Sequence, residues 1–158
     1  MSRRWLLTLA AATIAGAGWY AFRPERAFLD TTVHEAFPAT GQGETAAATL
    51  LTGSFHSNAH ETRGTATVYG LPDGRRVLRL TTFETSNGPD VVVYLVAATD
   101  VIDDRTVTEA GFVNLGSLKG NVGDQNYDIP LDLDLSRFRA VTIWCRRFSV
   151  TFGTAPLS

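Results

Sequence analysis

At 158 residues and 17.1 kDa, the chain has room for one ordinary domain and some flanking sequence, not two domains. A formal net charge of −2 and a pI near 5.9 leave no basic footprint for nucleic acid. The single cysteine, Cys145, excludes an intramolecular disulfide, a cysteine zinc cluster, a CxxC pair and the two-thiol haem attachment motif.

Residues 1–22 hold an uncharged apolar run, Trp5 to Phe22, with Arg3 and Arg4 before it and Arg23 after it. At about 1.5 Å per helical residue the run approaches the roughly 30 Å thickness of a bilayer's apolar core. The arginines preceding it orient the rest of the chain outward. Two readings stand: a signal anchor that tethers the domain extracytoplasmically, or a signal peptide cut near Ala15-Gly16-Ala17 and leaving a secreted or periplasmic protein. Residues 23–48 lack sustained periodicity and read as a linker or stalk with room for short helical turns.

From residue 49 to the end, short β-rich runs alternate with turns. Arg63 to Tyr69 and Val77 to Phe83 flank Leu71-Pro72-Asp73-Gly74 and read as a hairpin. Val91 to Ala97 is apolar on both faces and reads as a central strand. Asp100 to Ala110 reads as a polar loop, Phe112 to Leu115 as a strand, and glycine-rich 116–124 as a loop leading into Gln125 to Pro130. Phe138 to Cys145 places Val141, Ile143 and Cys145 on one face. Phe148, Val150 and Phe152 share a face in the last strand, with a parity break at Arg146-Arg147. About seven or eight such strands predict an all-β, antiparallel β-sandwich preceded by the apolar helix and linker.

Several blocks in this region are specific. They are Gly53-Ser54-Phe55 with His60 and Gly64, Asn87-Gly88-Pro89-Asp90 running into Val93-Tyr94-Leu95, Leu115 to Asn121, Gly123-Asp124-Gln125-Asn126-Tyr127, and Val141-Thr142-Ile143-Trp144-Cys145 with Phe148 to Gly153. In this order they resemble the DM-thirteen (DM13) domain family over about Gly53 to Leu157. The resemblance implies an extracytoplasmic β-sandwich with an electron-transfer role. It also implies that Cys145 is a redox thiol or the anchor of a prosthetic group such as haem.

The residues themselves allow narrower readings. Cys145 is either a buried small hydrophobe or a reactive thiol. On a regular strand Arg147 shares its face and would favour the thiolate. His56 and His60 with Cys145 would supply two imidazoles and a thiolate, the donor set of electron-transfer copper; only His60 matches a family position. Asp124, Gln125, Asn126 and Tyr127 either brace a glycine-rich loop or form a binding loop. Asp100, Asp103 and Asp104 lack calcium-loop spacing and read as a solvated loop. The zinc-protease, nucleophile-elbow, phosphate-loop and dinucleotide patterns fail, so the sequence leans away from an enzyme. Two function classes remain. One is electron transfer or thiol redox centred on Cys145, with a redox or other envelope protein as partner. The other is a non-catalytic module that recognises a protein or glycan.

Overall fold

The computed structural model describes residues 29–38 and 47–158, together with Thr13, Gly16 and Tyr20. Most of the expected apolar span, Trp5 to Phe22, lies outside the described residues. Among the described residues no helix is long and apolar enough to cross a membrane.

Within residues 29–38 and 47–158, ten strands and one short helix follow in order. They are β1 (Thr32–His34), β2 (Ala48–Ser54), β3 (His56–Ser57), β4 (Arg63–Gly70), β5 (Arg76–Glu84) and β6 (Val91–Val96), then α1 (Asp104–Ala110), β7 (Phe112–Ser117), β8 (Val122–Ile129), β9 (Ala140–Cys145) and β10 (Val150–Pro156). They form two five-stranded sheets, ordered β1-β8-β5-β4-β2 and β3-β10-β9-β6-β7. Ala66, Val68, Leu78, Leu80, Tyr127 and Ile129 from the first sheet share one buried cluster with Val91, Val93, Leu95, Val141, Ile143 and Cys145 from the second. The sheets therefore meet face to face across a single core.

The β4–β5 hairpin forms as the alternation predicts, closed by the Leu71 and Gly74 amide bonds around Pro72-Asp73. β6 is buried along its whole length. Its odd residues enter the shared core, while Val92, Tyr94 and Val96 pack outward under Val101 and Val107 of the α1 layer. That outer layer is why the strand reads apolar on both faces. The Asp100–Ala110 region is accordingly not only a loop. Asp103 caps α1 by accepting from the Thr106 amide at 2.8 Å, and Val107 is the helix's buried anchor.

The linker expectation fails at residues 29–38. Thr32–His34 adds to β8 as the one parallel pairing among the described strands, with Thr32 opposite Val122 and His34 opposite Asp124. A three-residue strand carries no readable period, and neither does two-residue β3. These two raise the strand count above the expected seven or eight. β8 also starts at Val122, so Asp124 to Tyr127 lie in a strand between β1 and β5, not in a loop. Phe148 leaves the last strand for the turn at 146–149 and is 65% exposed.

The β1 strap needs Gly123. Its φ is +103°, and a Cβ there would run into the Val33 carbonyl oxygen. Gly123→Ala is expected to destabilise the domain by about 1–3 kcal/mol and to speed amide exchange in 31–35 before the core opens. Urea unfolding combined with exchange measurements checks this; an unchanged strap would contradict the docking.

Candidate functional site

Cys145 ends β9, opposite Val91 of β6 and Val150 of β10. Its residue exposure is 0%, and its neighbours in the core cluster are hydrocarbon. The thiol donates one weak hydrogen bond, Sγ to the Pro89 carbonyl at 3.1 Å. Strand parity thus placed Cys145 correctly on the inner face. Parity does not carry through to Arg147, because β9 stops at Cys145 and the chain turns. Arg147 is exposed in that turn, beyond the regular strand that was to bring it onto the thiol's face.

What covers the thiol is the turn Asn87-Gly88-Pro89-Asp90. Gly88 lies so close to the core that a Cβ would sit 2.7 Å from the Phe152 ring and 2.9 Å from Val91. Asp90 takes a φ of +63°, an uncommon conformation for a non-glycine residue. It is pinned there by Arg146, whose Nη2 donates to Oδ1 at 2.6 Å and whose Nε reaches both oxygens at 3.1 Å. The Arg146 amide also donates to the Asp90 carbonyl at 3.1 Å. Asn87 ties the other end to the strap, donating to the Leu29 carbonyl at 3.0 Å. The Arg146 guanidinium holds the Asp90 carboxyl below its usual range. The tie is therefore intact above pH 3.8 and is lost only as the pH falls through the lower native value.

The same turn lines a cleft of about 740 Å³. Gly88, Asp90 and Val91 form one wall, Leu29 to Thr31 of the strap another, and Ser117 to Asn121 the third. Asn121 is the corner post: its Oδ1 accepts the Thr31 amide at 2.7 Å and its amide nitrogen donates to Asp30 at 2.7 Å. The turn whose Pro89 carbonyl accepts the thiol thus also lines the cleft, through Asn87, Gly88 and Asp90.

The four residues singled out on β8 divide by strand parity. Gln125 and Tyr127 point inward. Gln125 Oε1 accepts from the Lys119 and Gly120 amides at 3.1 and 3.3 Å and from the Tyr127 hydroxyl at 2.8 Å. Its nitrogen donates to the Gly120 carbonyl at 2.7 Å. This is bracing of the glycine-rich segment. Burial raises the Tyr127 pKa well above its ordinary value, so the phenol stays neutral.

Asp124 and Asn126 point outward and grip Arg79 at 2.9 and 2.8 Å. Arg79 also donates to the Glu35 carbonyl at 3.1 Å. Glu35 in turn accepts Lys119 at 2.7 and 2.9 Å and the Asn126 amide at 2.7 Å. Burial alone would raise the Glu35 pKa, but Lys119 and the Asn126 amide outweigh it, and the net shift is downward. Arg79, Glu35 and Lys119 had no assigned role in the sequence reading, because their partnership depends on the unforeseen strap.

The histidines do not join the thiol. His56 Nε2 pairs with Asp100 at 2.8 Å, and the His60 ring lies against Phe152 with centroids 3.9 Å apart. Among the described residues no group of three or more His, Cys, Asp or Glu side chains is arranged to hold a metal. The two-imidazole, one-thiolate copper set is therefore not assembled. A haem attached at Cys145 would need an open face on the sulfur, and the fully buried residue offers none.

The family described as "Electron transfer DM13" matches residues 54–157. No curated protein and no solved structure matches the chain.

Two measurements test the bracing and the strap. Gln125→Leu keeps the volume but leaves two loop amides without their acceptor, and is expected to cost about 2–4 kcal/mol in urea unfolding. A loss under 0.5 kcal/mol, roughly that of an ordinary surface change, would contradict the bracing. The Asn126 amide resonance should follow Glu35 and titrate below 4.5, the strap tie being complete above that value and lost beneath the native one. A midpoint at or above 4.5 would contradict the pairing.

Proposed function

Since the chain belongs to the electron-transfer DM13 family, we propose that it is a redox-related module of the cell envelope, carried on the extracytoplasmic side by its N-terminal apolar run. Cys145 is its shielded thiol, and the Asn87–Asp90 turn is the cover. The observation that carries this reading is the Sγ to Pro89 carbonyl bond, which makes the cover and the thiol direct partners. When the turn moves away, the sulfur loses its Pro89 partner and its cover.

The reaction this arrangement suits is thiol–disulfide exchange with an envelope protein. The Cys145 thiolate attacks one sulfur of the partner's disulfide, the mixed disulfide forms, and the partner's other sulfur leaves as a thiolate. The partner's disulfide supplies the oxidising equivalent, and the proton that the Cys145 thiol loses in forming the thiolate passes to solvent. Shielding also serves an exported protein, because an open lone thiol there is prone to oxidation and unwanted coupling.

A second reading has its own support. Full burial of Cys145 and the structural use of Gln125 and Tyr127 fit a non-catalytic module that presents the cleft to a protein or glycan, with the sulfur as core filling.

Thiol labelling by an aromatic disulfide reagent separates the two. In the native protein, labelling is expected to be slow and to stop altogether in Cys145→Ala. Asp90→Asn and Arg146→Gln, which loosen an exposed tie, should each accelerate it about two- to fivefold without altering global stability by more than about 1 kcal/mol. Labelling that tracks only global unfolding in all variants would favour the binding module.

A further inference from the structure

We infer that Asn87 is a site of spontaneous deamidation guarded by the strap, and that its conversion detaches residues 29–31 from the turn irreversibly. The inference is separate from the redox reading, because it requires no reaction of Cys145.

The chain has five asparagines, and Asn87 alone is followed by glycine; alanine, leucine, valine and tyrosine follow Asn58, Asn114, Asn121 and Asn126. Deamidation begins when the amide nitrogen of the next residue attacks the asparagine Cγ, and a side chain on that next residue obstructs the approach. Gly88 has none. Its amide is also uncommitted, donating to no acceptor among the described residues. The amides after Asn58 and Asn121 are engaged: Ala59 donates to the Thr151 carbonyl at 3.0 Å and Val122 to the Thr31 carbonyl at 3.3 Å.

Water is the sole co-reactant. The Gly88 nitrogen, having lost its proton to solvent base, forms a bond to Asn87 Cγ. The Cγ–Nδ2 bond breaks, and ammonia leaves with a proton regained from solvent. Water then adds to one of the two carbonyls of the succinimide ring and opens it to aspartate or isoaspartate.

The strap restrains the first step. Asn87 Nδ2 donates to the Leu29 carbonyl at 3.0 Å and to Asp30 Oδ1 at 3.3 Å, and Asp30 is itself held by Asn121 at 2.7 Å. Both bonds must break before Cγ can swing onto the Gly88 nitrogen. After conversion they cannot re-form, because the amide's two donors have become a carboxylate that only accepts. It would face the Leu29 carbonyl oxygen and the Asp30 carboxylate, the second a like charge. The strap therefore loses its hold on the turn, while Arg146 still fastens the other end at Asp90.

The experiment holds the full chain in detergent at mildly alkaline pH, and follows the deamidation mass gain of the peptide spanning residue 87. The same chain unfolded in urea is the reference. Conversion at Asn87 is expected about tenfold more slowly in the folded chain, and Asp30→Ala should recover about threefold of that difference. Absence of conversion in the folded chain while the unfolded chain converts overturns the site. A folded rate equal to the unfolded one, or an unchanged rate in Asp30→Ala, overturns the guard. Converted and unconverted wild-type chains, separated by charge, are then compared by hydrogen exchange, and Asn87→Asp is measured beside them. The Thr31 amide is expected to exchange about fivefold faster in the converted chain and in Asn87→Asp. Equal exchange overturns the release.

Discussion

The turn Asn87-Gly88-Pro89-Asp90 carries more of this structure than its length suggests. Asn87 holds the strap, Gly88 lets the backbone approach Phe152, Pro89 accepts the thiol, and Asp90 is clamped by Arg146 in a conformation few side chains adopt. Each bond is individually weak. Together they close the open end of a sandwich whose two sheets would otherwise leave the start of β6 and the end of β9 uncovered. The thiol is buried because this turn is closed, and the cleft has its wall for the same reason.

The strap works at the neighbouring edge. β8 would be a sheet edge with unpaired backbone groups, and Thr32–His34 covers part of it. The side chains that secure the strap, Arg79, Asp124, Asn126, Lys119 and Glu35, are charged or amide groups on the outer face. They look at first like a binding surface and are largely consumed by the chain itself. The polar residues of β8 thus have two uses set by parity alone. The inner pair supports the glycine-rich segment, and the outer pair supports the strap.

Much of this was legible in the residues. Alternation gave the β4–β5 hairpin, two-sided hydrophobicity gave β6, and parity put Val141, Ile143 and Cys145 into one core. What escaped has physical causes. β1 is too short to show a period and is held by side chains far along the chain. α1 has only Val107 to mark a buried face. Asp124 to Tyr127 read as loop because Gly116, Gly120 and Gly123 precede them, yet Gly123 serves close packing against the strap within a strand. Arg147 was assigned to the thiol on the premise of a regular strand, and that strand ends one turn too early. The cover over Cys145 was invisible because Pro89 and Asp90 lie 56 residues from their partners, Cys145 and Arg146, a separation that no local pattern connects.

The account depends on the cover opening by itself while the two sheets stay together. The direct measurement is Cys145 exchange with a disulfide reagent across sub-denaturing urea concentrations, read as a free energy of opening. Local opening exposes little surface, so the exchange should depend only weakly on urea and lie well below the global unfolding free energy. An urea dependence and a free energy equal to those of global unfolding would mean that the thiol is reached only by unfolding the domain, and would contradict the shielded-thiol account.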